Sequence, residues 1–499
     1  MYRQADRNGS NNRNRDRVSG FVHGLCIRVN SKQLAIDLVS CKSSNMDSSN
    51  LIERTMPQSL KEFLSHHHIH EVECVIPDMT GIARGKILPR DLFLSSGEMR
   101  LPKSVLLNTV NGQQPDNGPF VGDTDPDMVC IPDASTIRVV PWAAEPVAVV
   151  IHDCQEWDGS PVQLSPRGVL RRVLALYQAQ GWHPIVAPEM EFYLVARQQN
   201  PHVPLVPPLG RTGKPEAGRQ SYSIDAVNDF DPFFMELSSF CSQHRLGVET
   251  LIHEAGPGQM EINFSHGEPM DLADRVFLFK RTVRETALRH GIFATFMAKP
   301  MEQEPGSAMH IHQSINDAQG QNIFSNTDGS PSDLFFSYIA GLQAFIPKLM
   351  PIFAPYVNSY RRLSPFMSAP INVRWGYDNR TCGIRVPKSD QDSRRVENRV
   401  PGVDVNPYLA MAATLACGYL GMRDKLKPSE PTADSAWNVS HELPRHLEDA
   451  INTMRASAPV RELLSPSFVD AFCAVKELEY ATYNRVISSW EREHLLLLV

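Results

Sequence analysis

The sequence predicts an α+β fold: a small β-rich domain, then a larger domain whose antiparallel sheet is backed by helices. Three observations predict it. Two short strand-like runs, 72–76 and 82–88, flank a turn at 77–81. A strongly strand-like run at 185–195 follows a helix with clear start and stop signals. Further strand and helix patterns then alternate without an internal repeat. At 499 residues the chain is long enough for two or more domains.

Residues 1–50 are expected to be a disordered extension, since 1–20 are rich in Arg, Asn and Ser with little to bury, and Met46 or Met56 is an alternative start. The small domain is placed at 57–153, with a short helix at 57–67, the two strands, a loop at 111–127 dense in Gly, Pro, Asn and Asp, and a strand near 137–140. The larger domain is placed at 160–499. Ser165 is an N-cap, Pro166 takes the first helical position and Gly181 ends the helix. After the strand at 185–195 come a Pro/Gly-rich loop at 201–218, a helix from Asp231 to Gly247, and strands at 249–253 and 260–264. A helix at 271–290 precedes strands bearing Met297 and His310. Long helices are expected at 332–353 and 407–422, and more helices from Leu443 onward.

Bulk properties narrow the function class. A net charge of −7 gives no support for nucleic-acid binding. No apolar run spans a bilayer, so no membrane role is expected, and the run at 407–422 reads as a core helix. The nine cysteines show no paired spacing, which fits reduced thiols and a cytoplasmic location.

The chemistry lies in five short pieces. Residues i and i+2 of a strand share a face. Glu189 and Glu191 therefore project together, as do His310 and His312, and Arg395, Glu397 and Arg399. Glu254 and Glu261 flank a tight Ala-Gly-Pro-Gly turn that returns both toward the first pair. Carboxylates with histidine and no cysteine favour Mg²⁺ or Mn²⁺ over zinc. Six arginines at 361, 362, 380, 385, 395 and 399 supply planar forks for carboxylate and phosphate oxygens. Metal-binding carboxylates with phosphate-binding arginines point to ATP chemistry. Walker A, Rossmann and kinase signatures are all missing. The run His66, His67, His68 and His70 has no acidic partners and reads as an exposed helix end.

In order, PEMEF (188–192), HEAGPGQME (253–261), Lys299-Pro300 with GSAMHIH (306–312), NSYRRL (358–363), NRTCGIRVP (379–387), RRVENR (394–399) and NPY (406–408) resemble the glutamine synthetase family. The resemblance runs from about residue 57 to the C-terminus. It implies a β-grasp domain on a catalytic domain, ATP with two or more divalent ions per site, and a dodecamer of two hexameric rings. It further implies that Glu191, Glu254 and Glu261 hold one metal, and Glu189, His310 and Glu397 a second. Arg362 and Gly306 would bind glutamate, and Arg380 and Arg385 would stabilise the transferring phosphoryl group. Arg395, Arg385, His312 and Ser314 would contact the nucleotide. The implied reaction joins the γ-carboxylate of glutamate to a nitrogen nucleophile through an acyl phosphate.

The chain departs from the family in four places. SPFMSAP (364–370) puts Ser368 where ammonia-using members carry a Glu, and PKSV (102–105) lacks the Asp of their ammonium loop. Pro305 replaces a frequent Asn, and 437–444 lacks the tyrosine that some bacterial enzymes adenylylate. Loss of two acids and room beside Ser368 resemble the γ-glutamylamine synthetase branch, with putrescine or a polyamine as the expected amine. A glutamine synthetase using ammonia and a non-catalytic member are the alternatives.

Overall fold

The computed structural model describes residues 56–365 and 369–499, together with three short strands earlier in the chain. Those strands, β1 (Phe21–Val22), β2 (Leu25–Arg28) and β3 (Asp37–Ser40), pair antiparallel within a unit spanning Met1–Arg54. The rest of the expected disordered extension lies outside the described residues.

The unit Thr55–Val499 holds two larger sheets. The first comprises β4 (Glu71–Pro77), β5 (Ala83–Pro89), β6 (Met99–Pro102), β7 (Asp127–Pro132), β8 (Arg138–Val139) and β9 (Val147–Gln155). Their order is β5-β4-β9-β7-β6, with β8 beside β9 and only the β4–β9 pair parallel. The turn between β4 and β5 is built on Asp78. Its fully buried carboxylate accepts from the backbone N–H of Thr80 and Ile82, each at 2.9 Å, and from Arg84 at 2.7 Å. Strands β6, β7 and β9 were not expected from the sequence. β9 is buried on both faces along most of its length, so it lacks the apolar–polar alternation that marks a half-exposed strand.

The second sheet comprises β10 (His183–Ala196), β11 (Val248–His253), β12 (Gln259–Phe264), β13 (Ile292–Thr295), β14 (Met309–Asn316), β15 (Trp375–Tyr377), β16 (Ile384–Val386) and β17 (Val396–Asn398). The order is β11-β12-β10-β14-β17-β16-β15, with β13 also on β10 and only β15–β16 parallel. β10 is the central strand. Its Met190 and Phe192, with Met260, Ile262, Met309 and Ile311 of its neighbours, turn to the apolar side and are buried. The helices Pro166–Gln178 and Pro269–Arg289 pack on β10, and the helix Pro407–Arg423 packs on both of them and on the helix Asp333–Phe345. The last contact is backbone to backbone. A Cβ on Gly341 would sit 2.1 Å from the carbonyl oxygen of Cys417.

Three expected elements change. The helix expected over 332–353 is broken into the helix Asp333–Phe345, a 3₁₀ turn Ile346–Lys348 and the helix Met350–Phe353, because Pro347 and Pro351 cannot donate to the helical ladder. The helix Asp231–Gln243 stops before Gly247, where Arg245 and Gly247 both take positive φ. β13 ends at Thr295, so Met297 stands outside the sheet and is exposed. The Ser165 cap does form, its hydroxyl accepting from the Gly168 N–H. Among the described residues no helix is long and apolar enough to cross a membrane.

Candidate active site

The pleat and register of the second sheet assemble the site. Because β10 lies between β12 and β14, Glu191 stands opposite Glu261, and Glu189 stands opposite Asn263 on one side and His310 on the other. One strand further, His312 is opposite Glu397, and Glu397 is opposite Arg385. Four carboxylates, two imidazoles and the Arg385 guanidinium thus share the face opposite the helices.

The Glu189 carboxylate lies 3.1 Å from His310 Nδ1 and 3.0 Å from His312 Nε2. Burial opposes its ionisation, but hydrogen bonding to the two imidazoles prevails and holds it well below the usual carboxylate range. Glu397 is 1% exposed, accepts from Arg385 at 2.7 Å and pairs with Arg399. Burial would raise it, yet Arg399 and the two histidines hold it near 2. Glu191 and Glu261 behave oppositely. Burial and the Glu254 charge push Glu191 up to about 8, and burial with Glu191, Glu189 and Glu254 pushes Glu261 to about 9. Burial first, and Glu189 second among the raising influences, also raises Glu254. Burial and Arg399 lower His310 to about 4, so its imidazole is neutral at pH 7 and has a lone pair to offer.

This donor set fits divalent cations. Single ligand atoms of Glu189, Glu261 and His310 lie within 4.8 Å of one another, as do those of Glu189, His312 and Glu397. Glu189 is common to both groups, and His312 stands in one of them. Glu191 instead accepts from the Ala308 N–H at 2.8 Å and from Gln259 at 3.3 Å. Glu254 lies on the turn between β11 and β12. That turn is pinned by Glu216, which accepts from the Gly258 N–H at 2.7 Å and lies 3.1 Å from His253.

Two cavities meet at these side chains. One, of about 410 Å³, is lined by Glu189, Glu191, Glu254, Glu261, His310 and Glu397, and Gly306, Arg362, Arg380 and Arg399 also face it. The other, of about 580 Å³, is lined by His312, Ser314, Arg395 and Arg385, with Asp392 and Ser393. Glu189, Asn263 and Arg385 line both, so the two cavities adjoin at these side chains. Arg362 is buried and held by the carbonyls of Val400 and Arg399. Gly306 makes room for it, since a Cβ there would meet Arg362 Cγ at 2.5 Å. Arg380 is exposed at the wall. Arg361 turns away to Tyr483, and His66, His68 and His70 are exposed. Ser368 lies outside the described residues. The segment 102–105 lines neither cavity; Lys103 pairs with Glu156, and Ser104 is held by Asp125.

The sequence reading assigned no role to several residues. Gln259 is a buried hub, accepting from Tyr193 and the Gly256 N–H and donating to Glu191 and Gly306. Asn263 shares a face with Glu261 by the same i, i+2 rule that paired Glu189 with Glu191, so that signal was present. Asp378 holds Arg385 at 2.6 Å, and Tyr222 and Trp437 wall the smaller cavity; no local pattern marked these three.

Residues 163–495 match the glutamine synthetase catalytic domain. The chain is 32% identical to the glutamate–isopropylamine ligase of a Pseudomonas species, over 87% of this chain and 96% of that protein. It is 33% identical to the γ-glutamylputrescine synthetase of Escherichia coli K12, over 88% and 94%. Its fold matches the solved structure of a GmaS/ADP complex with a TM-score of 0.75 at 26% identity, covering 88% of this chain and 99% of that one. A match over most of the chain, on the sheet and turns that carry these carboxylates and arginines, makes the protein a member of the glutamine synthetase family.

Proposed function

We propose that the protein is an ATP-dependent ligase that joins the γ-carboxylate of L-glutamate to a primary amine through γ-glutamyl phosphate. The observation that carries this reading is that the two cavities adjoin, with Glu189, Asn263 and Arg385 lining both. A nucleotide in the larger space would present its terminal phosphate to a carboxylate substrate in the smaller one. In the first step a γ-carboxylate oxygen attacks the terminal phosphorus and ADP leaves. In the second the amine nitrogen attacks the acyl carbon, the bond to the phosphate oxygen breaks, and phosphate and a proton are released. Splitting amide formation in this way replaces one difficult step with two easier ones.

Arg362, fixed by two carbonyls beside Gly306, grips the carboxylate substrate, and Arg380 and Arg385 face the charge that moves between the cavities. Arg395, His312 and Ser314 face the nucleotide. The six residues Glu189, Glu191, Glu254, Glu261, His310 and Glu397 would hold Mg²⁺ or Mn²⁺, which when bound would offset phosphate charge. In this reading 57–153 form the small domain, 160–499 the catalytic domain, and the chain assembles as a dodecamer.

The test is phosphate release from ATP with glutamate and metal, in the presence of ammonium, methylamine, ethanolamine, putrescine, spermidine or spermine. Strong stimulation by an amine with little from ammonium is the expected outcome. Ammonium as the best substrate would make the enzyme a glutamine synthetase, and silence across the panel would overturn the ligase reading.

A further inference from the structure

Gln259, the first residue of β12, stands opposite Tyr193 of β10 and shares a strand face with Glu261 and Asn263. It is 1% exposed, and its amide is bonded on both sides. Oε1 accepts from the Gly256 N–H at 2.9 Å, a group that can only donate. Nε2 donates to the Gly306 carbonyl at 3.1 Å, a group that can only accept. Nε2 also donates to Glu191 Oε2 at 3.3 Å, with Ser307 Oγ at the same distance. These partners fix the amide in one orientation.

The two links made by Nε2 join opposite parts of the smaller cavity, Glu191 on β10 and Gly306 ahead of β14. The other donor to Glu191, the Ala308 N–H, also goes to Oε2, at 2.8 Å. One carboxylate oxygen is thus held by the chain, and Oε1 is left for a cation. Gly306 packs against Arg362, where a Cβ would meet the arginine Cγ at 2.5 Å. Its neighbour Pro305 has no N–H and no side-chain donor, and its carbonyl accepts from the Tyr193 hydroxyl at 2.7 Å. The segment is therefore held from beneath, by Tyr193 and Gln259.

We infer that Gln259 is a positioning residue: a single amide turns Glu191 toward the cation and ties it to the Gly306 segment against which Arg362 grips the carboxylate substrate. The inference rests on the ligase reading and gives a role to a residue which that reading leaves without one.

The test uses the full chain as wild type, Gln259→Glu and Gln259→Met. A carboxyl keeps the acceptor for Gly256 but has at most one hydrogen to give where the amide gives two, and a thioether gives none. Mn²⁺ binding is read without turnover, from the electron paramagnetic resonance of the free ion. The KM values for glutamate and ATP come from phosphate release at saturating metal. Gln259→Glu is expected to weaken Mn²⁺ binding and to raise the KM for glutamate by about tenfold each, and Gln259→Met by about 10- to 100-fold. The KM for ATP should hold, since Gln259 does not line the larger cavity. A residue that only braced the turn at 254–259 would leave Gln259→Glu like wild type in both readouts. That result, or a KM for ATP that rises as far as the KM for glutamate, would overturn the proposal. A Gln259→Glu chain that fails to fold would overturn it as well, because its bond to Gly256 is kept. A wild type that releases no phosphate with any amine would sink the ligase reading, and Mn²⁺ binding by the two variants would then decide the proposal alone.

Discussion

Arg167, on the helix Pro166–Gln178, and Glu191, on β10, are both buried ionisable side chains, but their surroundings differ. The Arg167 guanidinium, 1% exposed, reaches Asp133 at 2.7 Å, Asp153 at 2.6 Å and Asp274 at 2.8 Å, and Tyr408 donates to Asp274 at 2.6 Å. Each carboxylate there meets a guanidinium. Around Glu191 the balance fails: among the described residues no arginine donates to Glu191, Glu254 or Glu261, and burial leaves all three with raised affinity for protons. The first cluster closes on itself and ties the β9 region to two helices. The second leaves three carboxyls that cations from outside could pair, which distinguishes a structural network from a candidate binding site.

The largest effect should come from cutting into the open cluster. Glu191→Gln is expected to lower phosphate release by about 100- to 1000-fold, with the melting temperature held or raised because a buried carboxyl crowded by Glu254 is gone. Steady-state kinetics and calorimetry on the same sample check both halves. An active variant would remove Glu191 from the chemistry.

The closed cluster should respond in the opposite sense. Arg167→Met strands buried carboxylates and should cost about 3–5 kcal/mol of stability, read as a fall in the urea midpoint, while the KM for glutamate of the folded protein stays put. A stable Arg167→Met variant would erase the contrast.

The comparison is sharpened by pH. The ordinary glutamate value is 4.5, whereas folded Glu191 and Glu261 sit near 8 and 9. Between those limits the folded state binds more protons than the unfolded one, so these groups make the metal-free protein less stable as pH rises. Bound Mg²⁺ or Mn²⁺ would take over from those protons. Melts from pH 5 to 9.5 should therefore show a metal-induced stabilisation that grows with pH. A stabilisation that is flat or falls with pH would mean that these two carboxyls do not meet the ion.

The smallest change is expected at the rim. Asp378 is exposed and holds Arg385 from the solvent side. Asp378→Asn should reduce kcat by roughly two- to fivefold, since Glu397 still anchors the same guanidinium. A larger loss would place Asp378 in direct contact with substrate.

Much of the site was legible because strand geometry is local. The alternation that aims Glu189 and Glu191 to one side needs no knowledge of the fold, and it applied equally to Asn263, which was overlooked. The same locality explains the failures. β9 is covered on both faces and shows no alternation, and the apolar pattern over 332–353 continues through Pro347 and Pro351, whose missing donors break the helix. Tyr222 comes to the cavity from a turn and Trp437 from the short 3₁₀ turn Ala436–Asn438, neither long enough to show a period.

By itself the sequence determined which side chains share a strand face, where the caps and turns fall, and the carboxylate, imidazole and arginine composition of the site. Tertiary structure decided their partners. Only the insertion of β10 between β12 and β14 sets Glu189 against both His310 and Asn263 and places Glu191 beside Glu261. Strand register depends on burying one face against helices far along the chain, and the affinity of a carboxyl for protons depends on which charges that burial brings near.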